Sequence, residues 1–188
     1  MRNIIIAGVA RAGKTTVCKE LCKNGFSHFT CDSLVYSLEH VFPQLGINQE
    51  ETTKGVKETS KNLAPLILTL AKCMEEEYLP YPLVFDVYQF MPEDYMKYDK
   101  KDIKVYFLGY PDISIEEEFK ILRANRSPQE YTQKYADEYL KRLIEQRINE
   151  SKFIKEECEK YNLPFINTSY NRSERINELV DRILKEVR

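Results

Sequence analysis

Residues 8–15 read Gly-Val-Ala-Arg-Ala-Gly-Lys-Thr, with Thr16 behind them, and fit the phosphate-binding pattern G-x-x-x-x-G-K-[ST]. The residue types follow from the chemistry. Gly8 and Gly13 let the backbone turn where a side chain would clash, so the N–H groups of the intervening Ala10, Arg11 and Ala12 can point at an anion. Lys14 supplies a point charge for terminal phosphates, and the Thr15 hydroxyl suits Mg²⁺. Thr16 carries the loop into a helix whose partly positive N-terminus adds to the site.

The flanks are those the pattern needs. Asn3-Ile4-Ile5-Ile6-Ala7 is a short β-branched run that reads as a buried strand, and Val17, Cys18, Leu21 and Cys22 recur at helical spacing before Asn24-Gly25 stops the helix. Strands and helices then alternate to the end, which predicts an α/β fold with a mostly parallel sheet covered on both faces. Further strands are expected at Phe26–Thr30, Pro82–Asp86, Ile103–Leu108 and Pro164–Asn167. The 188 residues suit one domain. Within it, a largely helical excursion is expected over 44–80, with Pro65 either kinking it or starting a second helix capped by Asn62. A helical hairpin is expected over about 112–145. Capping boxes at Ser114/Glu117 and at Ser127-Pro128-Gln129-Glu130 open its two helices, the second reaching about Tyr161. Asn171 with Glu174 opens the last helix.

Two strand ends carry carboxylates. Asp32 follows the second strand, where it serves either as a helix N-cap or as a carboxylate in the crevice beyond the strand ends. Both hold together if Ser33 does the capping. Asp86 ends the third strand in a Walker B-like pattern and is placed to hold Mg²⁺ beside Thr15. Arg123 and Arg126 lie three apart at the hairpin's tip, with Arg142 further along. Planar guanidinium groups suit a phosphoryl group whose charge is spread over its oxygens.

The formal net charge of −2 gives no basic surface for nucleic acid, and no apolar run approaches a membrane span. The N-terminus runs into a strand with no signal peptide, and the five cysteines make no zinc-type pairs. They read as reduced thiols, and a cytoplasmic protein is expected. A GTPase switch would need an [NT]-K-x-D motif and a D-x-x-G after a strand, and neither is present.

Together these pieces resemble the P-loop small-molecule kinases, the group of adenylate, shikimate, gluconate and nucleoside kinases. The resemblance rests on Gly8–Thr16, Asp32-Ser33, Asp86, Arg123, Arg126, Arg142 and Asn167-Thr168-Ser169, in that order along nearly the whole chain. It implies a three-layer α/β/α sandwich with five parallel strands in order 2-3-1-4-5 and a helical lid. It also implies ATP and Mg²⁺, with Thr168 and Ser169 bordering the adenine. Adenylate kinases carry arginines near strands two and three to grip a phosphate acceptor. Here those stretches read Asp32-Ser33-Leu34-Val35-Tyr36 and Asp86-Val87-Tyr88-Gln89-Phe90, with no arginine. A hydroxyl acceptor is therefore expected, with Asp32 as its base and Tyr36, Tyr88 and Gln89 around it. The alternatives are a nucleoside monophosphate kinase and a nucleotide-binding regulator without turnover. The expected partner is a small molecule, and the chain a monomer or homodimer.

Overall fold

The computed structural model describes residues 3–76, 81–98, 103–124 and 134–187. The central strand β1 (Ile4–Gly8) is buried along its whole length. Each of Ile4, Ile5 and Ile6 contributes about 1.5–3 kcal/mol by leaving water. β1 pairs in parallel with β3 (Leu83–Val87) on one side and β4 (Lys104–Gly109) on the other. The edges are β2 (Ser27–Thr30) and β5 (Phe165–Asn167), giving the order β2-β3-β1-β4-β5. This is the order that the resemblance implies.

The crossovers are helical. α1 (Lys14–Cys22) follows β1, and α2 (Cys31–Val41) follows β2. A 3-10 turn at Pro43–Leu45 leads to α3 (Thr53–Glu76). α4 (Pro92–Lys97) follows β3, α5 (Ile115–Ala124) and α6 (Asp137–Lys160) follow β4, and α7 (Arg172–Val187) closes the chain. Asn3 ties two layers together: its amide donates to the Ala71 carbonyl at 2.7 Å and its oxygen accepts from Leu83 N at 2.7 Å.

Several local expectations change. α2 begins at Cys31 with Thr30 as N-cap and no side-chain cap bond, so neither Asp32 nor Ser33 caps it. Asp32 sits instead in the first helical turn, where a carboxylate is favoured by the helix dipole. α3 runs unbroken through Pro65. A proline inside a helix costs ~3 kcal/mol, and the burial of Val56, Leu63 and Ile67 against the core offsets it. Asn62 starts no helix; its amide holds the Leu45 carbonyl at 2.9 Å. The Ser114/Glu117 box forms, each residue's side chain receiving the other's N–H at 3.2 Å. α6 begins at Asp137 rather than at the 127–130 box, which lies with Arg126 outside the described residues. α7 starts at Arg172, with Asn171 in the left-handed region at φ 51°. Among the described residues, no helix is long and apolar enough to cross a membrane.

Candidate active site

The loop between β1 and α1 is shaped by contacts with β4. Gly8 has φ 119°, and a Cβ built there would lie 2.0 Å from the Leu108 carbonyl oxygen. Only glycine fits this approach. Val9 N donates to the same oxygen at 3.1 Å, and Ala12 N donates to the Val9 carbonyl at 3.3 Å. Just past β4 the Tyr110 hydroxyl donates to the Ala10 carbonyl at 3.0 Å. Gly13 caps α1 at φ 101°, and Arg11 also takes a positive φ of 70°. The left-handed backbone at Arg11 costs about 1 kcal/mol, a strain typical of sites that the surrounding fold over-determines.

Lys14 is buried, its Nζ donating to the Val9 carbonyl at 3.0 Å and lying 5.6 Å from the Tyr88 ring centre. Burial pulls its ammonium below the ordinary lysine range, while the carboxylates of Asp86, Asp32 and Glu150 oppose the shift. The Thr15 hydroxyl donates to Asp86 Oδ2 at 2.6 Å. An oxygen pair so placed suits a hard cation such as Mg²⁺. Asp32 is raised above the usual carboxylate range chiefly by desolvation. Lys14 lowers it and Asp86 raises it further.

Lys14, Thr15, Asp32 and Asp86 share one cleft of about 530 Å³. Beyond the loop its walls are Val35 from α2, Gln49 and Glu51 from the segment before α3, Tyr88 and Gln89 after β3, and Tyr135 before α6. Tyr36, expected here, is exposed and stacks on His40 instead. Among the described residues, Arg11 is the only arginine lining this cleft. A second cleft of about 330 Å³ also touches the loop and is bordered by Gly13, Thr16, Leu122, Arg172 and Ile176.

The remaining candidates are dispersed. Arg123 Nη2 donates to the Tyr135 carbonyl at 2.7 Å and to Asp137 at 2.6 Å, linking α5 to the start of α6. Arg142 is exposed on α6 and lines neither cleft. Thr168 and Ser169 are buried and build the loop after β5. The Thr168 hydroxyl donates to the Gly109 carbonyl at 3.2 Å, and Ser169 Oγ accepts from Asp112 N at 2.9 Å.

Two polar groups were not singled out from the sequence. Arg147 is fully buried, and its Nη2 donates to Glu51 Oε2 at 3.4 Å. Next to it, Glu150 accepts from the Tyr88 hydroxyl at 3.2 Å. Burial pushes the Glu150 carboxyl up to about 7, against the pull of Tyr88, Lys14 and Arg147. The signal was present: Arg147 and Ser151 continue the buried stripe of Leu140 and Ile144, so a charge at 147 falls on a core-facing position. The other is Arg172, which borders the second cleft and pairs with the buried Glu118 at 2.8 Å. That pairing joins residues 54 positions apart, beyond reach of local pattern.

No family model and no curated protein matches the chain. Solved structures do. A shikimate kinase from Bacteroides thetaiotaomicron is 18% identical with a TM-score of 0.58, over 99% of this chain and 98% of that one. A shikimate kinase from Acinetobacter baumannii, in complex with shikimate, is 15% identical with a TM-score of 0.56, over 100% and 93%. TT1252 from Thermus thermophilus is 17% identical with a TM-score of 0.51, over 100% and 98%. What these chains share with this one is the fold of the P-loop nucleoside and nucleotide kinases.

Proposed function

We propose that the chain transfers the terminal phosphoryl group of ATP to a hydroxyl of a small metabolite or nucleoside. The observation that carries this reading is the single cleft in which Lys14, the Thr15–Asp86 pair and Asp32 meet. The glycine-flanked loop suits a triphosphate tail, and Thr15 with Asp86 suits Mg²⁺, which when bound neutralises charge on the phosphate oxygens. Asp32 has the character of a general base: a carboxylate whose proton affinity is raised by desolvation, lining the same cleft as Lys14 and Thr15.

In the reaction so read, the acceptor hydroxyl gives its proton to Asp32 and its oxygen bonds to the γ-phosphorus. The bond from that phosphorus to the bridging oxygen breaks, and a phosphate ester and ADP result. Lys14 holds the phosphates, and Tyr88 and Gln89 orient the acceptor. Arg123, with Arg126, is the candidate to meet the transferring group and exclude water, and Thr168-Ser169 to border the adenine.

The acceptor wall of the cleft supports a hydroxyl over a phosphate. It carries Asp32 and Glu51, and among the described residues its one lining arginine belongs to the phosphate loop. An already anionic acceptor would meet two carboxylates there.

The test is ADP formation from MgATP against pools of nucleosides, nucleotides, sugars and hydroxy acids. Acceptor-dependent ADP release by the wild type, lost in Lys14→Ala and cut at least 100-fold in Asp32→Asn, is the expected result. Monophosphates as the best acceptors, with Asp32→Asn as active as wild type, would replace this reading with a nucleotide kinase. ATP binding without stimulation by any pool would favour a regulator.

A further inference from the structure

Cys18, His28 and Asp86 come from three separate elements, α1, β2 and β3, and their ligand atoms all lie within 4.8 Å of one another. His28 Nε2 stands 3.7 Å from Asp86 Oδ2. Around a tetrahedral zinc ion, donors held at about 2.0–2.3 Å from the metal are some 3.3–3.8 Å apart. The spacing is therefore within a small side-chain adjustment of a coordination shell.

The backbone, rather than a chance rotamer, brings the three together. β2 pairs with β3 so that His28 lies opposite Val84 and Thr30 opposite Asp86. His28 and Asp86 are thus two residues out of register on adjacent strands, and alternation puts both on one face of the sheet. Cys18 lies three residues beyond Thr15 on α1, the spacing that shares a helix face, and Thr15 already bonds Asp86. Cys18 and Asp86 are buried, while His28 sits on the edge strand and leaves a way in.

We propose that Cys18, His28 and Asp86 form a binding site for a zinc-class divalent cation, with the fourth position left to water or a small ligand. One sulfur, one imidazole nitrogen and one carboxylate oxygen match zinc, whereas Mg²⁺ prefers oxygen alone. The Cys18 thiol gives its proton to solvent as the metal–sulfur bond forms, so each ion bound releases one proton. The site uses the carboxylate that accepts from Thr15. Zinc occupancy and the Thr15–Asp86 arrangement are therefore in competition. The inference does not depend on the kinase reading.

The test uses the full reduced chain titrated with Co²⁺, a spectroscopic probe for zinc sites, with no nucleotide present. The expected result is a near-ultraviolet thiolate-to-cobalt charge-transfer band with intense tetrahedral visible bands, both removed by added Zn²⁺. Cys18→Ser should abolish the thiolate band. His28→Gln, an edge-strand change that spares the core, should weaken Co²⁺ binding at least about tenfold. Circular dichroism checks that both variants are folded, and if Cys18→Ser is not, His28→Gln alone decides. No thiolate band in the wild type, a band that survives in folded Cys18→Ser, or unchanged affinity in His28→Gln would each overturn the proposal.

Discussion

The Thr15 hydroxyl donates to Asp86 Oδ2 at 2.6 Å, joining the first turn of α1 to the carboxyl end of β3. The contact fixes two oxygen donors where the proposed Mg²⁺ would sit. Asp86→Asn keeps the shape and removes the charge. It should raise the Mg²⁺ concentration needed for half-maximal ADP formation by about 10–100-fold, with little change in stability. A magnesium titration at fixed ATP reads this directly, and an unshifted midpoint would remove Asp86 from the metal's surroundings.

Gly8→Ala should be far more damaging than Gly25→Ala. A Cβ at Gly8 meets the Leu108 carbonyl at 2.0 Å, so β1 and β4 must separate at the centre of the sheet. At Gly25 nothing lies within 4 Å, and only the positive φ of 92° is penalised. The expected losses are about 3 kcal/mol or more against about 1 kcal/mol. Thermal melts of the two variants should differ by several degrees, and equal melting temperatures would contradict the close approach.

Glu150 supplies a pH dependence. Its folded-state carboxyl is raised to about 7 by burial, against 4.5 for an ordinary glutamate. Between those values the folded chain holds a proton that the unfolded chain has released. The stability contribution is therefore complete below about pH 4.5 and is lost as the pH rises through about 7. Its full size is on the order of 3 kcal/mol. Denaturant titrations from pH 5 to 8 should show the difference between wild type and Glu150→Gln change across this window, and a constant difference would refute the assignment.

Arg123 and Arg142 should separate kinetically. Arg123 bridges α5 and α6 close to Tyr135 of the cleft that Asp32 lines, whereas Arg142 points to solvent. Arg123→Ala is expected to lower kcat by ~100-fold or more, and Arg142→Ala by less than tenfold. Steady-state kinetics with the acceptor found in the pool screen checks both values.

The fold could be read from the sequence because its signals are local and repeated. The isoleucine run of β1, the glycines at 8 and 13 and the Ser114/Glu117 box each act within a few residues. Asp32 and Asp86 were visible for the same reason, as carboxylates at strand ends. Pro65 misled because its local penalty is real but smaller than the burial of the helix around it. Arg172–Glu118, Glu150–Tyr88 and the meeting of Cys18 with His28 depend on distant elements docking side by side, and spacing along the chain does not encode such contacts directly. Arg147 is the intermediate case: its place on a buried stripe was readable, but its partner Glu51 was not.

The contact between Gly8 and Leu108 has a mechanical consequence. The loop after β1 packs directly on β4, so a ligand that grips the loop also tightens the sheet. Little ordering entropy is left to lose when a polyphosphate arrives. Its protective effect on amide exchange should then spread along β1 and β4 instead of stopping at the loop.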